Sequence, residues 1–153
     1  MDGLRRRLAG HALIGLDTSI WIYHLEANSK YASSAGQVLI AVQAGQPRAI
    51  LSVLTIMELN VRPYQLGNPG VAVHYEALLS HFPNTELVNV TPAIARRAAQ
   101  LRAAYALRSA DALHVATSLT SGATAWVTND YEIRRVSELL DVIVLDDFLT
   151  AAD

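Results

Sequence analysis

Residues 12–26 read ALIGLDTSIWIYHLE, and the fold is decided by how their first six positions are taken. Residues 12–16 are apolar throughout, with the length and composition of a buried strand. The run stops on a bare carboxylate, Asp17, with Thr18, Ser19 and then aromatics directly behind it. A charge set immediately after a buried strand needs a physical reason, and the rest of the chain supplies one.

Four more runs of this kind recur at residues 49–53, 87–90, 125–128 and 142–145, separated by segments of helical period. Residues 33–44 read as a helix that stops before Gly45. A second spans 55–61, with Pro63 closing it. GNPG at 67–70 marks a turn, and 71–81 is helical up to the PNTE stretch at 83–86. Thr91 caps a helix with Pro92 at its first position, running to about residue 105, and Ser109 opens another that ends near 121 before Gly122. Strands alternating with helices predict an α/β fold, a parallel sheet with helices on its faces. At 153 residues and 52% hydrophobic, the chain fits a single domain over 1–153, without repeats, low-complexity tracts or linkers.

There is no cysteine, so disulfides, thiolate nucleophiles and zinc–thiolate sites are excluded, and any metal must be held by oxygen or imidazole. No apolar stretch approaches the ~20 residues of a spanning helix. His11 and Asp17 interrupt what would be the hydrophobic part of a signal peptide, so the expected location is cytoplasmic, away from the membrane. Formal charge is −2, which gives the chain as a whole no nucleic-acid signature. Eleven of the twelve basic residues are arginine, Lys30 being the exception, and they cluster at 5–7, 96–108 and 134–135. Arginine suits phosphate contacts, and solvated helix surface explains such clusters equally well.

Four acids stand out by position. Asp17 follows the first strand, Glu58 lies one turn into the helix after the second, Asp111 is in the first turn of the helix from Ser109, and Asp130 follows AWVT. Each has a local explanation. Asp17 and Asp130 can cap the segments that follow them. Thr55 and Glu58 can form a capping box in TIME, and Asp111 can complement a helix dipole. Taken together they say more, because a helix returning antiparallel to a parallel sheet starts at the edge where the strands end. All four carboxylates then share one edge, where ligands bind in open α/β sheets. No lysine is near to balance them, and a hard divalent cation, Mg²⁺ or Mn²⁺, is the natural counter-charge.

These residues resemble the PIN-domain ribonucleases, especially the VapC-type toxins of toxin–antitoxin pairs. The resemblance runs from LIGLDTSIWIYHLE through LSVLTIMELNVRPYQ to LRSADALHVATSLTSGATAWVTNDYEIRRV and VIVLDDFL. It implies a PIN-like three-layer α/β/α sandwich with about five parallel strands, and it matches Asp17, Glu58, Asp111 and Asp130 to the family's acidic metal-binding set. Where relatives often carry a further aspartate this chain has Glu132, followed by Ile133 instead of the common phenylalanine. Thr18, Ser52, Thr128 and Asn129 fall near the same edge, placed either to bind a metal water or phosphate or to shape turns. His114 shares a helix face with Asp111 and reads as a packed or supporting histidine more than a ligand. Trp21 and Tyr23 read as core or partner-facing aromatics, with base stacking the alternative.

The expected activity is metal-dependent endonucleolytic cleavage of RNA by an activated water, with Asp17 or Asp111 as base and 5′-phosphate and 3′-hydroxyl products. Arg62, Arg108 and Arg134 neighbour the edge in sequence and are the candidates for backbone phosphates. Haloacid-dehalogenase-like phosphatases need a second aspartate where Ser19 stands, and receiver domains need an acid pair and a late lysine, so neither fits. The rival from another class is a non-catalytic interaction module that retains the acids. By the resemblance, the partners are an RNA substrate, a cognate antitoxin whose arginine can enter the acidic groove, and a second copy in a homodimer.

Overall fold

The computed structural model describes residues 2–149, and in them five short strands form one parallel sheet. The strands are β1 (Leu13–Leu16), β2 (Arg48–Ser52), β3 (Thr85–Val88), β4 (Ala125–Thr128) and β5 (Asp141–Val144), in spatial order β3-β2-β1-β4-β5. Pairing runs Ile14 to Ala49 on one side of β1 and Ile14 to Ala125 on the other. β1 is therefore central, which accounts for its unbroken apolar run.

Successive side chains of a strand point to opposite faces, and here each face has its own core. Ile14, Leu16, Leu51, Val127 and Ile143 pack with α1 (Gly3–Ala9), α2 (Thr18–Leu25), α3 (Ala32–Gln43), α4 (Leu54–Gln65) and α5 (Pro69–His81). Trp126, Val142 and Val144 pack with α6 (Pro92–Tyr105) and α7 (Ser109–Thr120). The result is the expected α/β/α sandwich. Among the described residues no helix is long and apolar enough to cross a membrane.

Several boundaries depart from the sequence reading. β3 lies two residues earlier than expected because its register is set by β2, Ala49 pairing with Thr85 and Ser52 with Val88. Pro63 does not close its helix: α4 continues to Gln65 with Pro63 buried inside, and Gly67, at φ +68°, makes the turn. Pro69 then opens α5, so the turn is shorter than GNPG. α1 is an added element, capped by Asp2, whose carboxylate accepts from the Arg5 amide at 2.9 Å, and anchored by Leu4 and Leu8 one turn apart. α6 starts as expected, Thr91 accepting from the Ile94 amide at 3.2 Å.

Gly15 matters most to the site. A Cβ there would stand 2.0 Å from Ser118 Oγ and 2.7 Å from the Trp126 ring. Its missing side chain lets α7 lie directly on β1. The start of α7 is thereby drawn to the end of β1.

Candidate metal-dependent active site

Asp17 leaves β1 and occupies the N-cap position of α2, yet its side chain makes no capping hydrogen bond. Its Oδ2 instead accepts from the Thr128 hydroxyl at 2.6 Å. The same hydroxyl accepts from the Asp130 amide at 3.1 Å, so Thr128, buried at the end of β4, ties Asp17 to the Asp130 loop. Burial pushes the Asp17 carboxyl above its ordinary pKa; the Thr128 bond and the His114 side chain oppose the rise, and the Glu58 charge adds to it.

Glu58 is not part of a capping box. α4 begins at Leu54 without any side-chain cap, Thr55 is fully buried within it, and Ser52 Oγ accepts from the Leu54 amide at 3.2 Å. Glu58 Oε1 accepts two hydrogen bonds, one from Thr18 Oγ1 at 2.9 Å and a short one from His114 Nε2. Burial alone would raise this carboxyl, but the His114 hydrogen bond, with the Thr18 hydroxyl, holds it below the ordinary value.

Asp111 lies in the first turn of α7. It is raised by burial first, then by the charges of Asp17 and Asp130, with His114 and Arg108 opposing. Asp130 does serve as a cap: its Oδ1 accepts from the Glu132 amide at 2.9 Å and opens the 3-10 helix Tyr131–Val136. The four acids thus lie along one edge, with charge coupling Glu58 to Asp17, Asp17 to Asp111 and Asp111 to Asp130.

The neighbours divide. Thr18 and Thr128 touch the acids, whereas Ser52 shapes the start of α4. Asn129 donates to the Tyr23 hydroxyl at 3.2 Å and accepts from the Asp146 amide at 2.9 Å, bracing the ends of β4 and β5. The Glu132 side chain is exposed. Trp21 is buried edge-on against Phe82, and Tyr23 packs on Tyr31, so Trp21 is a core aromatic with no face for a base. Of the three arginines, Arg62 sits in the last turn of α4 beside Glu26 at 3.7 Å, and Arg134 pairs with Asp147; only Arg108 faces an acid of the site.

Asp146 is a fifth acid at this edge, and the sequence reading did not single it out. It follows β5, its oxygens accept from Tyr31 at 2.8 Å and Tyr131 at 3.1 Å, and the Tyr31 bond leads the causes that hold it below its ordinary pKa. VIVLDD carried the signal: acids after an apolar run, as at Asp17.

Among the described residues no group of three or more His, Asp or Glu side chains is drawn together closely enough to hold a metal ion. The donor chemistry nonetheless suits Mg²⁺ or Mn²⁺. Such ions keep several waters and are usually held through only one or two carboxylates. Two acids here, Asp17 and Asp111, are pushed toward protonation at least in part by neighbouring negative charge, the state an added cation would relieve.

The fold has counterparts in known proteins. A model of the PIN domain family matches residues 14–139. The chain belongs to the PIN domain family. Solved structures share the PIN fold with it at low identity. A toxin–antitoxin complex from Klebsiella pneumoniae is 23% identical, with 86% of this chain and 97% of that one covered and a TM-score of 0.65. VapBC2 from Rickettsia felis, bound to a DNA fragment from its promoter, gives 18%, 85%, 96% and 0.66 in the same order. DNA-bound VapBC from Salmonella typhimurium gives 17%, 86%, 97% and 0.64. No curated protein matches the chain significantly by sequence. The matched PIN region includes all four edge acids.

Proposed function

We propose that this PIN-domain protein is a metal-dependent endoribonuclease and the toxin of a type II toxin–antitoxin pair. The observation that carries the reading is the set Asp17, Glu58, Asp111 and Asp130 on the edge of the sheet where the strands end, with Asp17 and Asp111 held above their ordinary pKa by burial and neighbouring charge. Bound there, Mg²⁺ or Mn²⁺ would polarise a phosphate oxygen and lower the pKa of an attacking water. Asp17 and Asp111 are the two groups fit to take that water's proton, since burial raises the basicity of both. Thr128 and Thr18 orient Asp17 and Glu58 through hydroxyl donors. Arg108, on the Asp111 side, is the cation best placed to meet the RNA backbone.

An antitoxin partner is supported by the VapBC complexes of similar fold. It is supported as well by an exposed apolar stripe on α4, Met57, Val61 and Tyr64 at helical spacing. A homodimer belongs to the same reading. The test is cleavage of RNA by purified protein with and without Mg²⁺, sequencing the ends, beside Asp17→Asn. Metal-dependent products with 5′-phosphate and 3′-hydroxyl ends, absent for the variant, support the assignment. Equal products from both proteins overturn the assigned site, and none from wild type on any RNA offered points to the non-catalytic module.

A further inference from the structure

We propose that His114 is a positioning residue for the acidic site, acting through Glu58. The inference rests on the metal-dependent reading above and assigns to that site a residue that holds a ligand without being one. His114 is 2% exposed, packed 5.8 Å from the Trp126 ring, on the helix that Gly15 allows against β1. Its Nε2 meets Glu58 Oε1, and its Nδ1 is buried without a partner. A lone pair is less costly to leave unpaired than an N–H, so the ring proton belongs on Nε2 and is donated to Glu58.

Thr18 donates to the same oxygen from α2. Helices α2, α4 and α7 are therefore joined at one carboxylate atom, and the second oxygen of Glu58 is the one left for a cation or its waters. A histidine that only filled the core would have no reason to meet a half-buried carboxylate at the site edge. An apolar residue would fill that volume without stranding Nδ1. The unpartnered nitrogen is the cost of placing the donor where Glu58 needs it.

Mn²⁺ affinity of the intact protein, read by calorimetry or by the spin resonance of free Mn²⁺, tests this without any RNA. His114→Met, of similar bulk but without a donor, should weaken Mn²⁺ binding about 10- to 100-fold, the usual effect of removing a group that orients a ligand. His114→Gln, whose amide nitrogen reaches the place of Nε2, should keep most of the affinity. His114→Asn, equally polar but shorter, should not, and the Gln/Asn contrast decides the matter if the Met variant fails to fold. In a Glu58→Gln background the His114→Met change should lose its effect on Mn²⁺. Equal affinity in His114→Met and wild type, or an undiminished effect without the Glu58 carboxylate, overturns the positioning role. A wild-type protein that takes up no Mn²⁺ overturns the metal reading itself, and this role with it.

Discussion

Asp141 at one edge of the sheet and Asp17 and Asp111 at the other are held in opposite ways. At the edge where the strands begin, Asp141 is met by Arg7, whose Nε donates at 2.7 Å with a second, shorter contact, and by His11 Nε2 at 2.9 Å; His11 Nδ1 in turn accepts from the Thr124 hydroxyl at 2.7 Å. The Arg7 hydrogen bond leads the causes that hold Asp141 below its ordinary pKa. At the edge where the strands end, Asp17 and Asp111 are raised by burial and by charges of their own sign, and no lysine or arginine bonds to either. Asp146 belongs to that edge too, but tyrosine hydroxyls and the Lys30 ammonium, 3.6 Å away, satisfy it. The same residue type thus latches α1 to β5 where a cation is supplied and remains at a free-energy cost where one is withheld. Folding alone does not favour the second arrangement, which makes it the candidate functional site.

The largest expected effect separates the edges by activity. Asp17→Asn or Asp111→Asn should cut Mn²⁺-dependent RNA cleavage by on the order of a hundredfold or more, because each removes a hard anionic oxygen with little change in volume. Asp141→Asn, at matched folded fraction, should cleave as wild type does. Comparable losses for Asp141→Asn and Asp111→Asn in a single-turnover assay would erase the distinction.

Metal-dependent stability comes next. In EDTA, Asp111→Asn should melt at or above wild type, since it relieves repulsion with Asp17 and Asp130. In Mn²⁺ the order should reverse, because a ligand bound only by the folded state adds about 2.7 kcal/mol at a hundredfold excess over its Kd, and the variant forfeits much of it. A residue that merely served the helix dipole would lose a few tenths to about 1 kcal/mol under both conditions. Asp141→Asn should behave in that metal-blind way: about 1 kcal/mol, discounted for the exposure of Arg7, or a Tm lower by roughly 2–4 °C with or without Mn²⁺.

Much of this contrast was legible before the structure. Apolar runs located all five strands to within about two residues, because strands covered on both faces are mostly apolar, and strand ends followed by acids placed two of the four site carboxylates, Asp17 and Asp130, while helix starts placed Glu58 and Asp111. Local rules failed where tertiary contacts set the outcome. TIME has the spacing of a capping box, but β2 ends at Ser52 and its hydroxyl takes the Leu54 amide, which starts α4 early and buries Thr55. Pro63 reads as a helix stop, yet it is buried two residues from the end of α4, where few backbone bonds remain to be lost. Thr18, Ile20 and Ile22 give α2 a β-branched alternation that hid a helix. α1 was masked by three consecutive arginines, although Asp2 and the Leu4/Leu8 pair signalled it. The Asp141 latch joins residues 130 and 134 positions apart, which no local pattern could reveal.

The finest test of the comparison is the acid limb of stability, measured in EDTA. Asp141 has a folded-state pKa below 3.8, so its contribution is fully present above the ordinary value and is lost only as pH falls from there through the folded value. Asp111 has the opposite sign. Its folded-state pKa lies above 3.8, so at neutral pH its charge weakens the fold, and that penalty fades as pH falls through the folded value toward the ordinary one. Titrated downward from pH 7, the stability difference between wild type and Asp111→Asn should therefore close before pH reaches 3.8. The difference for Asp141→Asn should hold to that point and close below it, with wild type the more stable protein until then. Urea melts of the three proteins at half-unit intervals would resolve the order. Two differences that closed over the same pH range would mean that the edges do not hold their acids in opposed states, and the comparison would fail at its physical root.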